Sequence, residues 1–320
     1  MSTRNPALFV VGCPRSGTTL LQRMLDHHPQ LVVTNDTHFI PRGHDGFAVD
    51  DIELTPELVD RVVTYRRFPR LGLPEDAARR LGSGVNTYRD FVSALYDEVA
   101  LMHGKPLAGE KTPDYVRHLP LLSRLFPWAP FLHILRDGRD VALSVVDWAR
   151  DGKGPSKLPL WDEDPLGTAT LWWRWQVGTG RRDASSLSDI RYLEVRYESL
   201  AAEPEPVLRS VATFLGLEYT SAMVAFHKGR TIDDPNLSAK KAWLPATPGL
   251  RDWRDALTVE ELLWFEALAG DLLSELGYER AFPHIPKQEK SRAERFEREF
   301  EAQIRRRRSA PVLNRPSREA

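Results

Sequence analysis

The chain has 320 residues, of which 42% are hydrophobic and 28% charged, with a formal net charge of −1. This is an ordinary soluble composition, with no overall attraction to nucleic acid or to an anionic membrane. No apolar stretch approaches the ~20 residues of a membrane span, and residues 1–6 are too short and polar for a signal peptide. We therefore expect a cytoplasmic protein. The single cysteine excludes an internal disulfide and a multi-cysteine metal site.

The first strand is predicted over the apolar residues 7–11, and it leads directly into G-C-P-R-S-G-T-T at residues 12–19. These residues have the glycine spacing of a phosphate-binding P-loop, but Thr18 takes the place of the usual lysine. The loop opens a helix whose apolar residues share one face. A strand, a tight turn and a helix start are thus predicted in the order that an anion-binding loop requires.

Backbone N–H groups in such a loop converge on an anion, and Gly12 and Gly17 allow the backbone to approach it closely. Without the lysine, the loop lacks the charge that reaches the outer phosphates of ATP. Arg15 instead supplies a cation within the loop, and Thr18 and Thr19 supply hydroxyl groups. The loop therefore favours a phosphate-like ligand other than ATP.

Strands and helices alternate through the rest of the chain. Further strands are predicted at residues 31–33, 131–135 and 191–196, and an amphipathic helix at residues 204–215 ends at Gly216. This order predicts an α/β protein of the P-loop type, with three layers and a central parallel sheet covered by helices.

Two segments depart from this alternation. Residues 41–90 are rich in Pro and Gly and lack a strand pattern, which indicates a helical lid or acceptor-binding insertion. From about residue 286 charge dominates, so we predict a main domain over residues 1–285 and a tail over 286–320, an exposed helix that becomes disordered near Ser309. Phe296 in this tail could pack on the body or on a second subunit, which makes a homodimer possible.

A second anion-binding pattern follows the strand at residues 131–135. It reads R-D-G-R-D-V-A-L-S, and we expect Arg136 to end the strand and Ser144 to lie about one turn into the next helix. Open α/β folds bind ligands at the carboxyl edge of the sheet. We therefore expect Arg136 and Ser144 to converge on one anion there.

Together with P-R-S-G-T-T-L, this pair resembles the sulfotransferases that use 3′-phosphoadenosine 5′-phosphosulfate (PAPS). The blocks G-E-K-T-P and V-R-Y-E-S-L-A-A-E-P also fall where that family has them, so the resemblance extends to about residue 280. The loop looks closer to the tyrosylprotein sulfotransferases and related bacterial proteins than to the cytosolic small-molecule branch. D-T-H-F-I-P-R at residues 36–42 is similar to their E-T-R-V-I-P-R, with Asp36 where they have a catalytic glutamate.

The resemblance implies transfer of a sulfuryl group from PAPS to an acceptor hydroxyl, without a metal. The acceptor could be a carbohydrate, a lipid, a natural product or a peptide tyrosine. The implied catalytic residues are Asp36 as the base, with His38 as the alternative base, and Arg15 and Lys111 as stabilisers of the transferring group. The implied donor-binding residues are Arg15, Ser16, Gly17, Thr18, Thr19, Arg136, Ser144, Tyr197 and Arg251.

Three alternatives remain open from the sequence. Glu110 and Lys111 could belong to a surface loop. The chain could be a nucleotide kinase or another P-loop NTPase, against which the missing lysine counts. It could also be a nucleotide-binding protein without catalysis.

Overall fold

A computed structural model describes residues 5–44, 51–149, 152–228 and 252–309. The chain divides into two compact units. The first comprises Met1–Arg136 and Thr179–Leu250, and the second comprises Asp137–Gly178 and Arg251–Ala320. The boundary predicted at residue 286 stays a prediction.

The first unit contains a parallel sheet of five strands in the order β2-β3-β1-β4-β5. The strands are β1 (Phe9–Gly12), β2 (Leu31–Asn35), β3 (Leu107–Lys111), β4 (Phe131–Leu135) and β5 (Tyr192–Arg196). β1, β2 and β4 are buried along their whole length, as short apolar runs in a parallel sheet usually are. The predicted strands are therefore confirmed, with β1 and β2 ending later than the apolar runs suggest.

Helices cover both faces of this sheet. Phe9, Val11 and Val32 pack on one face against the helices between β2 and β4. Val10, Leu132 and Ile134 pack on the other face against the first helix and the helices that follow β5. The helices are α1 (Thr18–Asp26), α2 (Phe39–His44), α3 (Pro56–Val63), α4 (Glu75–Ser83), α5 (Tyr88–Met102), α6 (Leu119–Leu125), α10 (Tyr197–Ala202) and α11 (Pro204–Leu215). The three-layer α/β fold predicted from the sequence is confirmed.

The predicted amphipathic helix has the predicted bounds. α11 begins with Pro204, and Gly216 caps its end in the left-handed conformation at φ 74°. The insertion at 41–90 is helical in its described parts, with α2, α3, α4, the start of α5 and a 3₁₀ turn at Phe68–Leu71. β3 is the strand that the sequence pattern missed.

The second unit is helical in the residues described. It contains α7 (Gly138–Ala149), α8 (Leu160–Glu163), α12 (Trp253–Ala256), α13 (Val259–Glu275) and α14 (Lys287–Ser309), and the unit boundary falls within α9 (Pro165–Ser186). The charged α14 is confirmed as a helix. It is not exposed on every side, because Phe300 and Ile304 are buried and Phe296 packs edge-on against Trp264 of α13.

Two helical glycines in this unit have opposite surroundings. A Cβ added at Gly138 would lie 2.5 Å from Cε3 of the fully buried Trp173, whereas a Cβ at Gly178 would meet no atom within 4 Å among the described residues. Gly138→Ala should therefore lower the free energy of unfolding by ~1–3 kcal/mol through overpacking. Gly178→Ala should raise it by up to ~1 kcal/mol, because alanine is the better helix former. Urea unfolding measures both, and equal effects would contradict this packing.

Candidate active site

The candidate site lies at the carboxyl edge of the sheet, where all five strands end. Gly12 opens the loop after β1, Asp36 follows β2, and Lys111 ends β3. Arg136 follows β4, and Tyr197 follows β5 at the start of α10. Because the strands are parallel and in register, residues distant in sequence meet at this one edge.

The loop after β1 has the backbone of an anion site. Gly17 caps α1 in the left-handed conformation at φ 96°, without a side-chain cap bond among the described residues. The first N–H groups of a helix have no acceptor within it, and they carry partial positive charge. Ser16 adds a buried hydroxyl that has no hydrogen-bond partner in the described chain. Buried Thr18, in the lysine position, and Thr19 begin the helix.

Tyr197 and Arg136 close one side of this loop. A Cβ on Gly17 would lie 2.3 Å from Cδ2 of Tyr197, so only glycine fits below the ring. The Arg136 guanidinium stacks over the same ring, 4.3 Å from its centroid, and Nη1 donates a hydrogen bond to the Arg15 carbonyl at 3.4 Å. The structure thus brings Arg136, Tyr197 and the loop together. Tyr197 supports Arg136 through a cation–π contact.

The opposite side of the site contains an ion pair between strand ends. Lys111 Nζ donates to Asp36 Oδ1 at 3.0 Å, and the Asp36 N–H donates to the Lys111 carbonyl at 2.7 Å. The Lys111 side chain is fully buried. The surface-loop alternative for Glu110 and Lys111 is therefore wrong, since both residues end the internal strand β3.

The charge of Asp36 is set by its neighbours. Burial alone would raise the pKa of this carboxyl, but Lys111, His38 and Arg67 together hold the pKa below its ordinary value. Asp36 is consequently ionised at neutral pH. It can accept a proton there, although its pairing with Lys111 makes it a weak base.

His38 lies two residues further along the same turn. Its Nδ1 is 3.8 Å from Oδ2 of Asp114. Burial lowers the pKa of His38 to about 4, an effect that Asp114 only partly opposes. The imidazole is therefore neutral at neutral pH, and it too can accept a proton.

Three residues of the site lie in the left-handed region of the backbone although they are not glycines. They are Arg15 at φ 77°, Asp36 at φ 54° and His38 at φ 58°. Such conformations cost about 1–3 kcal/mol each and persist only where surrounding contacts hold them. This strain is gathered on the two loops that follow β1 and β2.

Sequence reasoning missed two arginines that lie close to Asp36. Arg67 Nη1 donates to the Asp36 carbonyl at 3.5 Å, and Arg70 Nη1 lies 3.7 Å from Asp36 Oδ2. Arg67 precedes the 3₁₀ turn in the insertion and Arg70 lies within it, where Y-R-R-F-P-R was the available signal. The insertion thus contributes cations to the site.

The structure does not test the positions predicted for Ser144 and Arg251 relative to the other site residues. Ser144 is buried on α7 in the second unit, so its convergence with Arg136 stays a prediction. Arg251 lies outside the described residues. Within the second unit, Arg139 binds both carboxylate oxygens of Asp137 at 3.0 and 2.7 Å, which fixes the start of α7.

In the described parts of the chain, no three or more His, Cys, Asp or Glu side chains are grouped so that they could hold a metal ion. No helix in those parts is long and apolar enough to cross a membrane.

Comparisons with known proteins agree with this fold. Residues 6–221 match the protein family described as "Sulfotransferase family". The nodulation protein NoeE of Sinorhizobium fredii is 28% identical over 92% of this chain and 72% of its own length. Protein-tyrosine sulfotransferase 2 of Gallus gallus is 24% identical over 87% of this chain and 71% of its own. The sulfotransferase domain of the Synechococcus PCC 7002 olefin synthase shares the fold, with a TM-score of 0.59, 23% identity, and coverage of 87% of this chain and 97% of that domain.

The fold and site define a three-layer α/β protein with a glycine-containing loop between β1 and α1. Since the family match covers most of the chain, the chain belongs to the sulfotransferase family and is a transferase. This placement sets it apart from the kinases and other P-loop NTPases.

The backbone strain at Arg15 leads to a stability prediction. Arg15→Gly and Arg15→Ala both remove the guanidinium, but only glycine adopts a positive φ without a steric cost. We expect Arg15→Gly to be more stable than Arg15→Ala by about 1 kcal/mol. Urea unfolding of the two variants measures the difference, and an alanine variant of equal or greater stability would show that the loop is not strained at this residue.

Proposed function

We propose that this sulfotransferase moves the sulfuryl group of PAPS to an acceptor hydroxyl, with Asp36 as the base. The observation that carries the proposal is the meeting of three features at one sheet edge. These are the lysine-free loop, Arg136 stacked on Tyr197, and the Asp36–Lys111 pair.

The residues of the first unit fit the phosphosulfate end of such a donor. The Ser16 hydroxyl, for which the described residues offer no partner, would hold its 5′ anion together with the glycine-containing loop and the start of α1. Arg136 has the geometry to bind a further phosphate, since its guanidinium is fixed at the loop by Tyr197. By the family resemblance, Ser144 and Arg251 would complete the 3′-phosphate site.

When bound, the sulfonucleotide supplies an activated sulfuryl group, and the transfer leaves negative charge on a phosphate oxygen. Arg15 and Lys111 are the cations that would neutralise this charge. Removing a preorganised donor of this kind costs ~3 kcal/mol of transition-state stabilisation. The burial of Lys111 would strengthen its electrostatic interaction with this phosphate oxygen, because few water molecules screen the ammonium group.

Asp36 would take the proton of the acceptor hydroxyl. It is ionised and mostly buried, and Lys111 and Arg70 orient its two carboxylate oxygens. An anion of the donor close to Lys111 would weaken the hold of Lys111 on Asp36. The pKa of Asp36 would then rise, which makes the carboxylate a better base when the donor is present.

The acceptor class stays open among carbohydrates, lipids, natural products and tyrosine. The relative named as a protein-tyrosine sulfotransferase supports a tyrosine hydroxyl as one of these. The helical insertion reaches Asp36 through Arg67 and Arg70, so this segment would contact the acceptor.

The base assignment predicts unequal effects of two substitutions. Asp36→Asn should lower kcat for sulfuryl transfer by ~100-fold or more, the usual range for loss of a general base. His38→Gln is the matched control on the same turn, and it should retain most of the activity. Transfer of labelled sulfate from PAPS to a panel of hydroxyl acceptors measures both.

The reverse pattern, in which Asp36→Asn retains activity and His38→Gln loses it, would move the base to His38. Nearly full activity in both variants would remove this turn from the proton transfer altogether.

The proposal also predicts transfer that is independent of a divalent metal. The cationic side chains Arg15 and Lys111 would neutralise the charge that develops on the donor, as Mg²⁺ does for nucleoside triphosphates. Sulfuryl transfer from PAPS should be unchanged by EDTA, and ATP with Mg²⁺ should support no phosphoryl transfer to the same acceptors. Loss of activity in EDTA that Mg²⁺ restores would contradict the proposal.

A further inference from the structure

Glu110 is a buried carboxylate that the proposed chemistry does not use. It lies in β3 directly before Lys111 and has no exposed surface. A buried carboxylate is costly unless hydrogen bonds satisfy it. Its partners therefore show what it holds in place.

The Glu110 carboxylate accepts five hydrogen bonds from residues that the structure describes. Oε1 accepts from the Thr37 N–H at 3.2 Å, from the Thr37 hydroxyl at 2.9 Å and from the Thr112 hydroxyl. Oε2 accepts from the Tyr96 hydroxyl at 2.7 Å and from the Thr34 hydroxyl. Two of the five bonds thus come from one residue, Thr37.

Thr37 is fully buried between the two strained residues Asp36 and His38. Glu110 binds both the backbone and the side chain of Thr37, so it fixes the orientation of the peptide that joins the two left-handed residues. Lys111 holds the adjacent residue, through its carbonyl and its ammonium group. Two neighbouring residues of β3 therefore hold two neighbouring residues of the turn: Glu110 holds Thr37, and Lys111 holds Asp36.

The alternation of side chains along β3 places Glu110 and Lys111 on opposite faces of the sheet. Successive side chains of β3 point to opposite faces of the sheet. Glu110 holds the turn from the face covered by α5, which contributes Tyr96, and Lys111 holds it from the other face. Glu110 is the group on the α5 face that accepts from both the N–H and the hydroxyl of Thr37.

We infer that Glu110 is a positioning residue for the turn of residues 36–38, which it holds through Thr37 so that the Asp36 carboxylate faces Lys111. As far as it concerns catalysis, this inference rests on the proposed function. As a statement about the turn, it does not depend on it.

Three conservative substitutions separate positioning from general stability. Thr37→Val, Thr34→Val and Tyr96→Phe each remove one hydroxyl donor from Glu110 and keep the shape of the side chain. Only Thr37 belongs to the turn, so the other two variants are matched controls that disturb the same carboxylate.

The first readout is the titration of Asp36, followed by carbon NMR of aspartate-labelled protein. Among the described residues, the groups that face Asp36 are Lys111 on β3, His38 on the turn, Arg67 before the 3₁₀ turn and Arg70 within it. Thr37→Val should raise the pKa of Asp36 because the carboxylate moves away from Lys111. Thr34→Val and Tyr96→Phe should leave this pKa as in the wild type.

The second readout is turnover with PAPS. Thr37→Val should lower kcat by roughly 100-fold, as expected when a catalytic group is misplaced, with little change in the affinity for 3′-phosphoadenosine 5′-phosphate. Thr37→Ser keeps both donors and should restore kcat. Glu110→Gln should act as Thr37→Val does, if it folds.

Equal shifts of the Asp36 pKa in Thr37→Val and Thr34→Val, or no shift in either, would overturn the inference. If the titrations follow the expected pattern but Asp36→Asn still transfers sulfate, the positioning of the turn stands and the base assignment fails. The two failures are therefore distinguishable.

Discussion

The parallel register of the five strands is the constraint on which the site depends. Each strand ends at the same edge, and each contributes one element of the site: the loop after β1, the turn after β2, Lys111 on β3, Arg136 after β4 and Tyr197 after β5. Residues as far apart in the sequence as Arg15 and Tyr197 thus need no special folding device to meet. Burial of β1, β2 and β4 on both faces constrains this register, because a shift of one residue would exchange the side chains packed on the two faces.

Electrostatics then decides what the edge can bind. Lys111, Arg67 and Arg70 all lie close to Asp36 in the first unit. Several cations at one edge favour an anionic ligand there. Lys111 and Arg67 also keep Asp36 ionised by lowering its pKa. Anion binding and readiness of the base are therefore coupled through Lys111, which contacts Asp36 and lies beside β1.

The sequence predicted elements whose signals are local. β4 is an apolar run that only His133 interrupts and that ends before Arg136, and α11 has a proline at its start and Gly216 at its end, so both bounds were predicted correctly. β3 was missed because its last residues, Glu110 and Lys111, are charged. Their burial depends on Thr34, Thr37, Tyr96 and Asp36, and no local pattern reveals partners so far away in the chain. The sequence analysis missed Arg67 and Arg70 of the insertion for the same reason, since only the fold brings them to Asp36. The roles of the individual site residues stay predictions.

The most direct measurement of the central claim is calorimetric binding of 3′-phosphoadenosine 5′-phosphate, compared with adenosine 5′-phosphate and with ATP in the presence of Mg²⁺. The account predicts that the bisphosphate binds about 10–100-fold more tightly than the monophosphate, since hydrogen bonds to charged groups contribute ~1.5–3 kcal/mol. It also predicts that ATP with Mg²⁺ binds weakly, because Thr18 stands in the lysine position. Equal affinity for the two adenosine phosphates, or preferred binding of ATP with Mg²⁺, would contradict the account.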